Sequence, residues 1–307
     1  MNSATREAYG SALVELGRTN PNVVVLDADL AGSTKSAGFG KENPERFFDM
    51  GISEADMIGT AAGLATCGKI PFASSFSVFV TGRAFEQIRN SVCNANLNVK
   101  VVGSHAGPSC GEDGSSHQAV EDIAIMRALP RMMVVVPADD VEAYDATLAL
   151  AEYEGPAYLR VARLASPTVH ASDYSFVLDK GEVLRDGNDV TVIACGMMVP
   201  RALEAADILA SEGISAQIIN MHTIKPIDDE LIVRCARKTG RVITIEEGSI
   251  VGGLGTAVAE VLSEQCPTPL RRIGLNDTFG TSGAGAELLD HFGLTASHIV
   301  EVAHELM

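Results

Sequence analysis

What most limits the folds open to this chain is a repeated exchange between short apolar runs rich in β-branched residues and segments of helix length. The run Val23-Val24-Val25-Leu26 ends at Asp27 and follows a helical segment at 3–14, for which Ser3 is the expected N-cap. Helix-length segments at 54–67, 79–96, 118–128 and 139–153 then alternate with strands near 70–75, 99–103, 133–136 and 157–161. These strands are mostly apolar and rich in β-branched residues, so both of their faces must be covered. A mostly parallel sheet with helices on either side achieves that. The rhythm lapses around 164–180, where Pro, Ser and His fall without period, and this stretch reads as a linker. It resumes with strands in "DVTVIACG", "SAQIINM", "RVITIEE" and "LRRIGL", and with helices at 199–212, 227–238, about 255–265 and near 295–306. The expected fold is α/β: two three-layer α/β/α domains with mostly parallel sheets, divided as 1–170 and 171–307.

The 307 residues, 46% hydrophobic and 21% charged, supply enough apolar material for two cores. A formal net charge of -17 repels phosphate backbones and excludes a nucleic-acid footprint; an anionic substrate would need a local basic spot. The six cysteines form no C-x-x-C pair and no metal-ligand spacing, which suits free thiols in a reducing cytoplasm. Cys110, beside a glycine-rich run, is the candidate for a reactive thiol. No N-terminal apolar segment resembles a signal peptide, and no apolar run approaches the roughly 20 residues that span a bilayer. The expectation is a soluble, cytoplasmic protein with no membrane partner.

Four segments carry side chains capable of chemistry. In "GISEADMIGTAAGLA", Glu54 begins a helix whose Gly59, Ala61, Ala62 and Gly63 permit close packing. Two roles are open to it: a desolvated carboxyl whose charged form is disfavoured and which exchanges protons near neutrality, or an exposed first-turn glutamate favoured by the helix dipole. In "SSFSVFVTGRAF", Phe76, Phe79 and Phe85 are either a core stripe or a face stacked on a planar ring. The stretch 103–122, "GSHAGPSCGEDGSSHQAVED", puts His105, Asp113 and His117 in a glycine-rich loop after a strand, where ligands sit in parallel sheets. Its spacings match compact metal motifs poorly, so no metal is assigned to it; hydrogen bonding to a polyhydroxylated substrate and a plain structured loop both remain open. Finally Arg6, Ser33 and Arg163 flank strand ends, and the two arginines together would provide the basic spot an anionic substrate needs. "GGLG" at 252–255 opens a helix and reads as a tight turn in preference to an anion site.

In this order, the segments resemble the C-terminal two-thirds of transketolase, its pyrimidine-binding domain followed by its C-terminal domain. The resemblance runs along essentially the whole chain. "GISEADM" is similar to the catalytic-glutamate motif of that family, which implies that role for Glu54. "SSFSVFV" is similar to its pyrimidine-stacking segment, implying that Phe79 and Phe76 lie against the cofactor ring. "SHAGPSCGEDGSSHQ" implies His105 at the reacting carbon, with Asp113 and His117 on substrate hydroxyl or phosphate groups. "ATR", "DADLAGS" and "VAR" imply phosphate contacts from Arg6, Ser33 and Arg163. The chain departs from the family at Ala55, where histidine is usual, and at Gly82, where a tyrosine often completes the aromatic pocket. The G-D-G motif and downstream asparagine that hold diphosphate through Mg²⁺ have no counterpart, since "GEDG" at 111–114 and "RDGN" at 185–188 fit neither spacing nor context. The resemblance therefore implies a thiamine diphosphate-dependent transketolase subunit that transfers a two-carbon ketol unit from a ketose phosphate to an aldose. It is expected to self-associate, and to act only with a separate N-terminal-type subunit that carries the G-D-G motif and the Mg²⁺ ligands. Related alternatives are a 1-deoxy-D-xylulose-5-phosphate synthase-like subunit, a 2-oxoacid dehydrogenase beta-type subunit and a non-catalytic scaffold.

Overall fold

The computed structural model of the chain describes residues 2–307. The first-half strands are β1 (Val23–Asp27), β2 (Phe47–Asp49), β3 (Ile70–Phe76), β4 (Lys100–Ser104), β5 (Met133–Val135) and β6 (Ala157–Val161). Those of the second half are β7 (Glu182–Arg185), β8 (Val190–Ala194), β9 (Ala216–Asn220), β10 (Thr223–Lys225), β11 (Val242–Ser249) and β12 (Leu270–Leu275). One sheet has the order β10-β5-β6-β4-β3-β1-β2 and the other β12-β11-β8-β9-β7. All pairings are parallel except β10 with β5 and β7 with β9. Every residue of β1, β4, β6, β8 and β9 is buried, as strands covered on both faces require. The result is two three-layer α/β/α units with mostly parallel sheets. No helix among the described residues is long and apolar enough to cross a membrane.

The helices that frame the first sheet include α1 (Thr5–Thr19), α2 (Glu54–Thr66), α3 (Ser77–Arg83) and α4 (Asp140–Glu152). Ser3 is not the N-cap of α1. Its backbone pairs with Ser166 in a short antiparallel ribbon, so Ala4 takes the cap position without a side-chain bond. The expected helix at 79–96 is broken: α3 ends at Arg83, and a π-helical turn at Ile88–Asn94 keeps Ile88, Val92 and Cys93 in the core. The helix expected from 118 starts at Asp122, because Gln118 instead bridges two loops, donating to the carbonyls of Pro108, Gly111 and Thr281. The edge strands β2, β7 and β10, three or four residues each, are too short to show a period in sequence.

The two halves are joined by buried polar groups as well as by β10. The imidazole of His170, in the connecting segment, lies 2.9 Å from Asp139 and 3.1 Å from Glu182. Glu142 of α4 accepts from Asn220 of β9 at 2.8 Å. Burial alone would lower the pKa of His170, but Asp139, Glu142 and Glu182 outweigh it and hold it up at about 9. A histidine raised above its unfolded value of about 6.5 contributes stability that is complete below that pH and lost as pH rises through about 9. Glu142, pushed up to about 7 by burial, loses stability with rising pH as well. Urea unfolding between pH 6 and pH 9 should therefore show falling stability, and His170→Gln should flatten the part of the curve above pH 6.5.

Candidate functional site

Parallel pairing brings the carboxyl ends of β1, β3, β4 and β6 to one edge, where the loops after them meet. The expected substrate residues Arg6, Ser33, His105, Asp113, His117 and Arg163 line one chamber there of about 440 Å³, with Phe76 on its wall. Arg6 Nη1 donates to the Ser33 carbonyl and to His105 Nε2, each at 3.0 Å. A guanidinium can only donate, so Nε2 accepts and the ring proton sits on Nδ1, which donates to Ser104 Oγ at 2.7 Å. Burial first, then the charges of Arg6 and Arg163, drives the pKa of His105 down to about 3, so its imidazole stays neutral. Its backbone is left-handed (φ 59°), and its ring stacks on Phe76 at 4.0 Å. Across the chamber, Arg163 pairs with Asp113 at 2.9 Å. His117 meets Phe79 edge-on at 5.2 Å.

Glu54 occupies an adjoining corner, and only 2% of it is exposed. That removes the solvated first-turn reading. Ser75 at the end of β3 donates to its Oε1 at 3.4 Å, and Arg83 Nη1 lies 3.1 and 3.2 Å from its two oxygens. The guanidinium of Arg83 also lies over Phe79, with its central carbon 4.0 Å from the ring centroid. Phe79 is in turn nearly parallel to Phe76, with centroids 5.9 Å apart, so the aromatic pair connects the corner to the chamber. A planar, nitrogen-donating group thus already satisfies this corner, set over Phe79 and bonded to Glu54. An aminopyrimidine has the same attributes, so the residues present fit such a ring.

Three residues of the candidate site were not singled out in the sequence. Arg83 follows Phe79 by four positions, the spacing that puts two side chains on one helical face, and that was the available signal. Asp27 is fully buried at the end of β1, where it accepts from Leu30 N (2.6 Å), Thr34 Oγ1 (2.7 Å) and Ser36 Oγ (2.8 Å), staking the loop that carries Ser33. Burial raises its pKa to about 6 against those bonds. Lys35 is the third, on the chamber wall. Two other sequence candidates are settled by packing. Cys110 is buried and its thiol is pushed up to about 12 by burial, so it is not a reactive thiol. At "GGLG", the Glu246 carboxylate accepts from Leu254 N and Gly255 N, each at 2.8 Å, and fills the helix start itself; a Cβ on Gly253 would lie 1.9 Å from it.

The sequence matches the family described as "Transketolase, pyrimidine binding domain" over residues 2–168 and "Transketolase, C-terminal domain" over residues 179–299. It is 52% identical to a putative transketolase C-terminal section of Methanocaldococcus jannaschii, covering 98% of this chain and 96% of that protein. It is 44% identical to a 6-deoxy-6-sulfo-D-fructose transketolase subunit of Clostridium sp. (strain MSTE9), over 98% of this chain and 94% of the relative. Among solved structures, one described as "Split gene transketolase, inactive beta4 tetramer" superposes with a TM-score of 0.93 at 54% identity, over 99% of this chain and 98% of that one.

Proposed function

Because the chain belongs to the transketolase family, we propose that it is the pyrimidine-binding subunit of a thiamine diphosphate-dependent enzyme that moves a two-carbon ketol unit from a ketose phosphate to an aldose. The observation that carries this reading is the buried Glu54 carboxylate beside the Phe79 face, opening onto a chamber lined by basic and hydroxyl-binding groups. Thiamine diphosphate, when bound, supplies the carbanion chemistry. Glu54 holds or shares the proton at the pyrimidine ring nitrogen, and Phe79 and Phe76 fix the plane of that ring. His105, neutral and protonated on Nδ1, presents Nε2 as an acceptor to a hydroxyl at the reacting carbon, taking Arg6's place as its partner. Asp113 and His117 take further hydroxyls. Arg6, Ser33 and Arg163 receive the phosphate. The chemistry belongs to residues 1–170, with 171–307 as the C-terminal domain.

In this reading a second polypeptide brings the G-D-G motif, the diphosphate and Mg²⁺, and the working assembly contains more than one copy of each chain. The naming of relatives as transketolase subunits supports a divided enzyme. Calorimetric titration of thiamine diphosphate into this chain, alone and with its partner, tests the proposal. Binding is expected with the partner present, and ketose phosphate in place of pyruvate should be consumed. No binding in either arrangement would leave only a scaffold role. In the complex, Phe79→Ala should weaken cofactor affinity at least 3- to 10-fold, since an aromatic stack contributes about 0.5–1.5 kcal/mol beyond burial. An unchanged affinity would remove Phe79 from the site.

A further inference from the structure

The chamber contains a cation that the reading above leaves without a task. Lys35 lines the chamber with Arg6 and Ser33, and its ammonium is paired at 3.0 Å with Glu7, which stands outside the lining. The backbone at Lys35 is left-handed (φ 71°, ψ 9°), closing the short helix Ala31–Thr34. Glycine takes that conformation with no steric cost, whereas a side chain is strained there. The turn is nevertheless held from three directions. Thr34 and Ser36 donate to Asp27 on either side of it, and α1 presses against it at Gly10, where a Cβ would lie 2.6 Å from Lys35 Cβ and 2.8 Å from its carbonyl oxygen. A lysine fixed at a position suited to glycine points to a use for its side chain.

The charge balance of the chamber shows what that use is. Arg163 is already committed to Asp113 and Glu112, at 2.9 and 3.8 Å. Arg6 has no carboxylate partner among the described residues, and its Nε is buried without a bond. Lys35 has only the half-exposed Glu7, and such a pair is weak and easily exchanged. Of the three cations lining the chamber, Arg163 reaches a ligand while paired with Asp113, whereas Arg6 and Lys35 are held by no carboxylate of the lining. We propose that Lys35 is a specificity-determining residue, binding jointly with Arg6 the tetrahedral oxyanion at the end of the substrate remote from its carbonyl. This rests on the chamber being the substrate site and adds a residue to it.

The test titrates inorganic phosphate into the full chain at low salt, followed by phosphorus NMR or calorimetry. Lys35→Gln should weaken phosphate binding about tenfold, the scale of one charge-assisted bond, and make it less sensitive to salt. Lys35→Gly should lose the same affinity while being no less stable to heat, because glycine suits the left-handed turn; misfolding is thereby excluded as the cause. The exposed Lys41→Gln removes an equal charge from outside the chamber and should bind phosphate as the parent does. Unchanged binding by both Lys35 variants, or an equal loss from Lys41→Gln, overturns the proposal. If Arg6→Gln abolishes binding while the Lys35 variants do not, only Lys35 loses its role. A parent chain that takes up no phosphate, or a silent Arg6→Gln, removes the chamber reading along with it.

Discussion

Glu54→Gln will leave the chain folded and lower the turnover of the assembled enzyme by about 100- to 10,000-fold, the range that positioned proton exchange contributes. Glutamine has nearly the shape of glutamate, so Ser75 and Arg83 still find an amide oxygen to donate to, and the well-packed start of α2 is undisturbed. Arg83 loses a charged partner, but half of its side chain is exposed and water compensates it. What glutamine cannot do is hold or exchange a proton at a ring nitrogen. Measured with ketose phosphate, aldose and the partner chain present, turnover should collapse while the urea midpoint and the affinity for cofactor stay close to those of the parent. Near-normal turnover would refute the role given to Glu54. Arg83→Gln separates positioning from chemistry: with Glu54 intact but no longer clamped, activity should fall less and its pH profile should move.

The fold was legible because strands buried on both faces must be largely apolar, and β1, β4, β6, β8 and β9 are buried throughout with apolar residues at most positions. The edges were not, since β2, β7 and β10, at three or four residues, are too short to establish a period. Nor could a sequence show that β10, from the second half, closes the first sheet by pairing with β5, for the partners are about ninety residues apart. At the site, residues with distinctive neighbours could be picked out: His105, Asp113 and His117 in their glycine-rich loop, Glu54 before its small-residue helix. Arg83, Asp27 and Lys35 escaped notice because each acts through contacts between separate segments. An arginine on a helix reads as a solvated charge until the fold lays it over Phe79. The burial of Glu54 likewise depends on Ser75 at the end of β3 and Arg83 on α3, both more than twenty residues away.

The largest loss of stability is expected from Arg160→Met. Arg160, on β6, is 7% exposed; its Nε donates to Asp122 at 2.8 Å and its Nη2 to the Glu247 carbonyl of β11 at 2.7 Å. Tyr158 donates to the same Asp122 oxygen at 2.6 Å. Burial opposes the charge on Arg160, but Asp122 and Glu247 overcome that and raise its pKa above the ordinary value. One guanidinium therefore fastens the first sheet, the helix starting at Asp122 and the second sheet together. Methionine fills much of the volume but supplies no donor, leaving the 1%-exposed Asp122 carboxylate with Tyr158 but without its countercharge, and stranding a strand carbonyl. Breaking a buried pair from one side costs about 3–5 kcal/mol, because the remaining charge is uncompensated. Urea unfolding should show that loss, and adding Asp122→Asn should recover part of it, since the double variant no longer buries a lone charge. If the double variant is as unstable as the sum of the singles, the two residues are not coupled and the lock lies elsewhere. If they are coupled, loosening this lock should also disturb the histidine loop, because Ser109 N donates to the Glu247 carboxylate at 2.7 Å and Gln118 holds Thr281 of the second half. Arg160→Met should then weaken substrate binding at a distance from the chamber, while the Glu54 corner, which rests on first-sheet elements alone, keeps its affinity for cofactor.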